Sequence, residues 1–417
     1  MSKLINQYDV AVIGGGPAGM MAAGRAGELG ARVILLEKNF KLGIKLLSTG
    51  GSRCNLSNGK ENKALAENFG SNGRWLLSGL SKFNSADMVD FFNKRGLTTK
   101  IEDNDRLFPN SNSAQDVLSV LINYLQTSNV TIKLQAAVKN IVKTKNKINK
   151  IILQDGTEIF ADNFIICTGG KSYPATGSTG DAYLWLKNLG HQIIAPRPAL
   201  APLLIKDNFI PTLQGSSFTG VKITCWQKDK KICSGFGPLL FTAQGVSGPT
   251  ILNLSGTIAQ TNLKDLYLSL DFFPDLSFNQ LDLKFREDLI SGNKLVRNAL
   301  SRLMPLKFID ILLNLTEIEG SRKINSINRA ERLHLVNALK DFKLQVAGVA
   351  DYNQAMITAG GVDLREVDNK TMRSKIINNL YLAGEILDLN GPTGGYNLQM
   401  CWTSAYVAGE AAASTKN

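Results

Sequence analysis

Val10-Ala11-Val12-Ile13-Gly14-Gly15-Gly16-Pro17-Ala18-Gly19 is the stretch whose reading decides the fold. An apolar run stops at a glycine cluster, a small-residue run from Met20 to Leu29 follows, and a second apolar run, Arg32 to Leu36, ends at Glu37. Strand, glycine turn, helix, strand and acid at this spacing form a dinucleotide-binding βαβ unit. Gly14 permits the tight turn, Gly16 lets backbone amides approach a pyrophosphate, and Gly19 lets the helix pack close to the strand. Pro17 and Ala18 open the helix, whose first amides and positive dipole end face the phosphates. Glu37 accepts hydrogen bonds from a ribose 2′-hydroxyl. The competing reading is a glycine turn that packs without a ligand.

The far end of the chain bears on which dinucleotide is meant. Leu380-Tyr381-Leu382-Ala383-Gly384-Glu385 is an apolar strand closing on glycine and acid, followed by Asp388 and by Gly391-Pro392-Thr393-Gly394-Gly395-Tyr396-Asn397-Leu398. A strand ending in an acid, then a glycine turn opening a helix, suits a ribityl chain and the pyrimidine edge of an isoalloxazine. The helix start stabilises negative charge there. Gly384, Glu385, Asp388, Gly394, Gly395, Tyr396, Asn397 and Leu398 are therefore expected cofactor contacts, and FAD is favoured over NAD as the resident group. An ordinary capped helix is the alternative.

Several long motifs lie between these ends: Lys45 to Asn55 (KLLSTGGSRCN), Arg106 to Pro109 (RLFP), Thr168 to Asp181 (TGGKSYPATGSTGD), Leu240 to Pro249 (LFTAQGVSGP), Thr358 to Val362 (TAGGV) and Thr371 to Lys375 (TMRSK). On these motifs the chain resembles a family of bacterial NAD(P)H- and FAD-dependent flavoproteins that includes ribosomal RNA dihydrouridine synthase, aminoacetone oxidase and bile-acid-type oxidoreductases. The resemblance implies an α/β, FAD-binding Rossmann-like domain of the two-dinucleotide-binding type, discontinuous in sequence, with a β-rich insert and a helical insert. It also implies cofactor contacts at Lys38, Lys45, Gly50, Gly51, Arg53, Asn55, Val138, Thr168, Gly169 and Gly170. Two departures stand out. Gly50-Gly51-Ser52 replaces the three glycines usual before Arg-Cys-Asn, and Met400-Cys401 replaces Trp-Ala.

Cys54 follows Arg53 in a loop that the family fold places near the flavin. A neighbouring guanidinium favours the thiolate and can hold an anionic substrate group. Cys54, Arg53 and Tyr396 are thus the candidate catalytic residues, with Tyr173 a further possible acid. Each has a plainer alternative: Cys54 as a small buried residue under the flavin, Tyr396 as packing. His191, after Leu189-Gly190, reads as a capping or packing residue, and Cys225 and Cys233 as isolated thiols in strands.

The expected organisation is an FAD-binding domain in two parts, 1–194 and 346–417, around a β-rich insert at 195–275 and a helical insert at 276–345. Amphipathic helices are expected at Ser85 to Arg95 and Ala114 to Gln126, a β-meander at Thr131 to Asp155, and strands through Leu203 to about Ser255. Phe278 to Phe342 is helical in period, and a final helix runs from about Leu398 to Ala413. The 417 residues exceed one ordinary domain.

Five dispersed cysteines and two histidines argue against a disulfide framework or a metal centre and for a reducing cytoplasm. No apolar run is long enough to span a membrane, and the polar Met1 to Tyr8 leaves no room for a signal peptide.

The net charge of +12 points to a polyanionic partner, unless it reflects a Lys- and Asn-rich coding bias alone. Thr131 to Lys150 carries six lysines and no acid, and Lys284 to Lys343 carries twelve Lys or Arg against seven acids. The resulting expectation is reduction of a large-subunit ribosomal RNA uridine to dihydrouridine. The RNA is gripped by the basic insert, NADH or NADPH acts as transient reductant, hydride goes to C6, and Cys54 or a tyrosine protonates C5. The alternative is a small-molecule enone reductase or amine oxidase with an incidental basic surface.

Overall fold

The computed structural model describes residues 7–288 and 293–414, in two compact units. Residues 199–355 form one unit; the chain on either side of them forms the other. Residues 289–292 of the expected helical stretch, and the polar segment 1–6, lie outside the described residues.

The first unit is built on a parallel sheet. β1 (Gln7–Ile13) lies between β2 (Val33–Leu36) and, on its other side, Glu158–Ile166. β3 (Thr131–Lys133) extends the sheet beyond β2, and the C-terminal strand Leu380–Leu382 extends it beyond Glu158–Ile166, with Leu382 opposite Ile166. All these pairings are parallel, so the strands end together, and a parallel sheet of this kind binds its ligand outside those ends. β2 is buried along its whole length, which explains why Val33-Ile34-Leu35-Leu36 reads as a continuous apolar run rather than an alternating one. The hairpin β4 (Val138–Thr144) and β5 (Lys147–Leu153) continues antiparallel into β6 (Glu158–Ile166).

The helix Pro17–Glu28 is almost entirely small or flexible residues on its buried side, for a steric reason. A Cβ on Gly24 would lie 2.3 Å from the Tyr124 ring, and one on Gly409 of the C-terminal helix Tyr396–Ser414 would lie 2.4 Å from the Ala22 carbonyl. The two terminal segments of the chain therefore pack backbone against backbone.

The second unit is a closed barrel of β7 (Leu203–Ile205), β8 (Ser217–Gln227), β9 (Lys230–Thr242), β10 (Gly245–Ser247), β11 (Leu266–Asp271) and β12 (Phe342–Val349). Its helices, among them Leu306–Leu315 and Arg329–Lys340, share the barrel's apolar core, in which Phe308 packs against Phe218, Phe272 and Phe342. The strand reading of Leu203 to Ser255 fails at its end, because Pro249–Ile258 is a helix. Pro249 sits at the first helical position, where its missing amide costs nothing. Strand Ile193–Ala199 contains Pro196 and Pro198 within a two-stranded sheet. A prolyl nitrogen is tolerated where it need not donate to a neighbouring strand.

His191 forms a buried joint: Nδ1 lies 3.1 Å from Glu366 Oε2 and Nε2 lies 2.9 Å from Ser374 Oγ. Ser374 Oγ also accepts the amides of Ile376 and Ile377, so it anchors a turn. Burial pulls the imidazole below its ordinary 6.5, against the pull of Glu366. The unfolded chain then binds more protons than the folded one as pH falls through 6.5, so the neutral imidazole's contribution is present above that pH and lost below it. Melting temperature is expected to fall between about pH 7 and about pH 5.5, and His191→Gln to flatten that fall in differential scanning fluorimetry. Equal slopes for both proteins would refute the assignment.

Candidate functional site

A cavity of about 620 Å³ opens at the ends of the parallel strands in the first unit. Its wall is the glycine turn itself: Gly14, Gly16, Pro17 and Ala18 line it, joined by Glu37 and Lys38 after β2, Val138 at the start of β4, and Thr168 and Gly169 after β6. From the C-terminal segment come Glu385, Asn397 and Leu398, and from the loop after β2 comes Lys45.

The glycines act for different reasons. Gly14 has φ +105, and a Cβ there would lie 2.5 Å from the Cys167 carbonyl. A Cβ on Gly19 would lie 1.7 Å from the Gly14 carbonyl, which sets the approach of helix to strand. Gly16 meets nothing within 4 Å and faces open space, so its lack of a side chain serves the cavity rather than the fold.

Glu37 is buried, with its carboxylate accepting the Gly15 amide at 2.6 Å and the Asn39 amide at 2.8 Å. Each oxygen keeps lone pairs to spare. Lys38 Nζ donates to Thr179 Oγ1 at 2.6 Å and Asp181 Oδ2 at 2.8 Å. Lys45 Nζ donates to Ser172 Oγ at 2.7 Å and Glu385 Oε2 at 2.9 Å, while Glu385 Oε1 accepts from the Thr358 amide and Ser172 Oγ. Thr168 Oγ1 is a buried hydroxyl that no protein group satisfies, on the cavity wall. An orphaned hydroxyl, an open glycine and a strand-end acid together fit a dinucleotide.

The other expected contacts lie off this wall, and of them only Gly384 and Gly170 pack against residues that line it. A Cβ on Gly384 would lie 2.8 Å from the Ala18 Cβ, and one on Gly170 would lie 2.4 Å from Thr358 Oγ1. Gly395 has φ +95, and its Cβ would lie 2.1 Å from the Ser57 carbonyl. Asn55, oriented to satisfy its neighbours, accepts the Gly395 amide at 3.0 Å and donates to Leu107 O and Ser57 O. Asn58 Nδ2 donates to Gly394 O at 3.2 Å, and a Cβ on Gly50 would lie 2.8 Å from the Asn55 amide. Gly51, at φ +65, sits on the exposed turn of the same loop. Asp388 is drawn to the Gly360 amide and Asn72, and burial raises its pKa.

The sequence profile of the HI0933-like protein Rossmann domain matches residues 8–411. The chain belongs to this family. It is 27% identical over 406 residues to the Ribosomal RNA dihydrouridine synthase of Escherichia coli (strain K12), covering 97% of this chain and 98% of that protein. It is 30% identical over 409 residues to the 3-dehydro-bile acid delta(4,6)-reductase of Clostridium scindens, covering 97% and 98%. Among solved structures, the 3-ketosteroid-delta4-(5alpha)-dehydrogenase from Rhodococcus jostii RHA1 is similar in fold, with a TM-score of 0.56, 14% identity and coverage of 100% of this chain and 98% of that one. The fold is the Rossmann-type α/β fold, shared with that dehydrogenase.

The two positions expected to depart from the family pattern fall at structurally sensitive places. Ser52 has φ +67, a backbone region that glycine enters without strain. Cys401 lines the cavity, and its thiol is pushed up to about 12 by burial. Cys54 is fully buried and burial pushes its thiol up to about 12, with only a hydrogen bond to Thr49 opposing. The Arg53 guanidinium is turned to Glu102 and Asn112 and lies 4.2 Å over the Phe108 ring. Tyr396 is 5% exposed, its ring edge-on to Phe69 and beneath the Lys60 ammonium at 5.9 Å. Tyr173 has a left-handed backbone, φ 52, before Pro174.

Sequence reasoning missed part of the wall. The segment from Thr176 to Asp181 lines the cavity, as do Trp185, Met356 and Gln154. Its signal was present in TGGKSYPATGSTGD, whose later glycines, Gly177 at φ +101 and Gly180 at φ +79, turn the backbone around Asn39 and Lys171. Among the described residues no cluster of His, Cys, Asp or Glu could hold a metal, and no helix is long and apolar enough to cross a membrane.

Proposed function

We propose that this chain binds FAD in the strand-end cavity and, with NADH or NADPH as transient reductant, reduces a uridine of large-subunit ribosomal RNA to dihydrouridine. The observation that carries the substrate is the full-length likeness to ribosomal RNA dihydrouridine synthases of Escherichia coli and Haemophilus influenzae, at 27% and 28% identity. Charge supports it. Within the second unit Arg297, Arg322, Arg332 and Lys340 are taken up by Asp310, Glu331, Asp282 and Asp271. Lys284, Arg286, Lys294, Arg302, Lys307, Lys323 and Arg329 are exposed. Exposed cations grip phosphates, and their binding weakens as salt displaces them.

In this reading the amides around Gly14 to Ala18 take the pyrophosphate, Glu37 the ribose, Val138 the adenine side, Thr168 Oγ1 and Gly169 the middle of the molecule, and Lys45, Glu385, Asn397 and Leu398 the flavin side. FAD, when bound, supplies a two-electron carrier between reductant and substrate. Gly170 and Gly384 pack against residues of that wall, whereas Gly50, Gly51, Asn55, Asp388, Gly394 and Gly395 do not line it. Arg53 is neutralised in part by Glu102, which weakens its pull on an anionic substrate group. Of the candidate donors, Cys54 holds its proton but is fully buried and does not line the cavity. Tyr396 is the other candidate donor.

A small enone is the second reading, favoured by the 30% identity to a bile-acid reductase. Anaerobic reduction by NAD(P)H followed by addition of ribosomal RNA from a deletion strain separates the two. The expected result is reoxidation of the flavin on RNA, with two hydrogens gained by one large-subunit uridine. Reoxidation that ignores RNA and requires an enone or oxygen would overturn the RNA assignment.

A further inference from the structure

Cys225 and Cys233 are not isolated thiols. They are directly opposite each other on the antiparallel strands β8 and β9, in register beside a bulge that separates them from the Trp226 and Lys231 pair. Opposed residues in an antiparallel pair point to the same face with Cβ atoms about 4.5–5.5 Å apart. A disulfide needs Cα atoms about 4.4–6.8 Å apart and Cβ atoms about 3.5–4.5 Å apart. Opposed residues meet the first at about 4.5 or 5.5 Å and reach the second at the near end of their range, so closing the bond draws the two Cβ atoms together. The pair is reduced in this structure. Cys225 is fully buried in the barrel core, whereas Cys233 is partly exposed and packs against that core from its edge. One thiol can therefore be reached from solvent, and the other is sheltered beside it.

We propose that Cys225 and Cys233 are a redox modification site that closes to a cross-strand disulfide when the protein meets a low-molecular-weight disulfide such as oxidised glutathione. The exposed Cys233 sulfur attacks that disulfide, forming a mixed disulfide and releasing one small thiol, which takes the Cys233 proton. Cys225 then attacks the Cys233 sulfur, forming the Cys225–Cys233 bond and expelling the second small thiol, which takes the Cys225 proton. The two protein thiols lose two electrons and the small disulfide gains them. A hydrogen bond from Cys225 lowers the Cys233 thiol; burial opposes this and Lys231 assists it, so the accessible partner is also the better nucleophile. The proposal is independent of the substrate assigned to the first unit.

The experiment treats the full-length protein with oxidised glutathione, alkylates the remaining thiols under denaturing conditions, and maps tryptic peptides. Lys228, Lys230 and Lys231 lie between the two cysteines, so trypsin separates them and a disulfide shows itself as a joined peptide pair lighter by two hydrogens. The expected result is that joined pair, reversed by dithiothreitol, together with a raised melting temperature from closing the hairpin covalently. In Cys225→Ser, Cys233 is expected to remain as its glutathione adduct. Should that variant misfold, Cys233→Ser, at the exposed position, is expected to yield neither adduct nor joined pair at this hairpin. A stable glutathione adduct on Cys233 in the unsubstituted protein, or no reaction at either cysteine, would overturn the proposal.

Discussion

Gly16→Ala is expected to fold as well as the unsubstituted protein and to lose most of its flavin, whereas Gly19→Ala is expected to lose both stability and flavin. The difference lies in what each new methyl group meets. At Gly16 it enters the open cavity, with nothing of the protein within 4 Å, so the only group it can exclude is the ligand. At Gly19 it would stand 1.7 Å from the Gly14 carbonyl, so the helix must leave the strand. Overpacking of this kind costs about 1–3 kcal/mol or more. It also pulls apart the turn whose amides face the phosphates. Flavin absorbance on purification and thermal melts of the stripped proteins read the two effects separately. Gly16→Ala that keeps its flavin at the unsubstituted affinity would remove the cavity from consideration as the pyrophosphate site.

The second large effect is expected at Trp402, the bulkiest of the fully buried side chains. Its Nε1 donates to the Leu56 carbonyl at 2.9 Å and its ring meets Phe92 edge-on, so the C-terminal helix holds the Cys54-bearing loop through this one residue and through Ser57 Oγ bonded to Gln399. Trp402→Ala is expected to cost about 3–5 kcal/mol from the cavity alone. The stranded Leu56 carbonyl adds about 1–3 kcal/mol. Trp402→Phe keeps much of the volume and is expected to cost far less. Chemical denaturation of the three proteins measures this, and a loss below about 1 kcal/mol for alanine would show that the loop is held elsewhere.

How much of this was legible from residues alone varies by element. The glycine turn after β1 was, because three glycines at that spacing between apolar runs have few other uses. So was the helix Ala114–Thr127, whose apolar residues recur at helical spacing behind a Ser113 cap. Pro249–Ile258 was misread because its residues, Pro249-Thr-Ile-Leu-Asn-Leu, carry as much strand character as helix character, and only the packing against β9 decides between them. The cavity wall was legible at Gly14, Gly16, Gly169, Glu37 and Glu385 and illegible at Thr176 to Asp181, since nothing local says which side of a turn faces a ligand.

Local chemistry was enough to determine the βαβ unit, the acid that closes β2, and a C-terminal apolar strand followed by a glycine turn and a helix, because turn residues and hydrophobic period act over a few neighbours. Tertiary structure alone decided that Cys54 is fully buried, that Arg53 turns to Glu102, and that Cys225 and Cys233 stand opposite one another. Desolvation and strand register depend on which distant segments cover a residue, and that information is spread over the whole chain rather than carried in its neighbours.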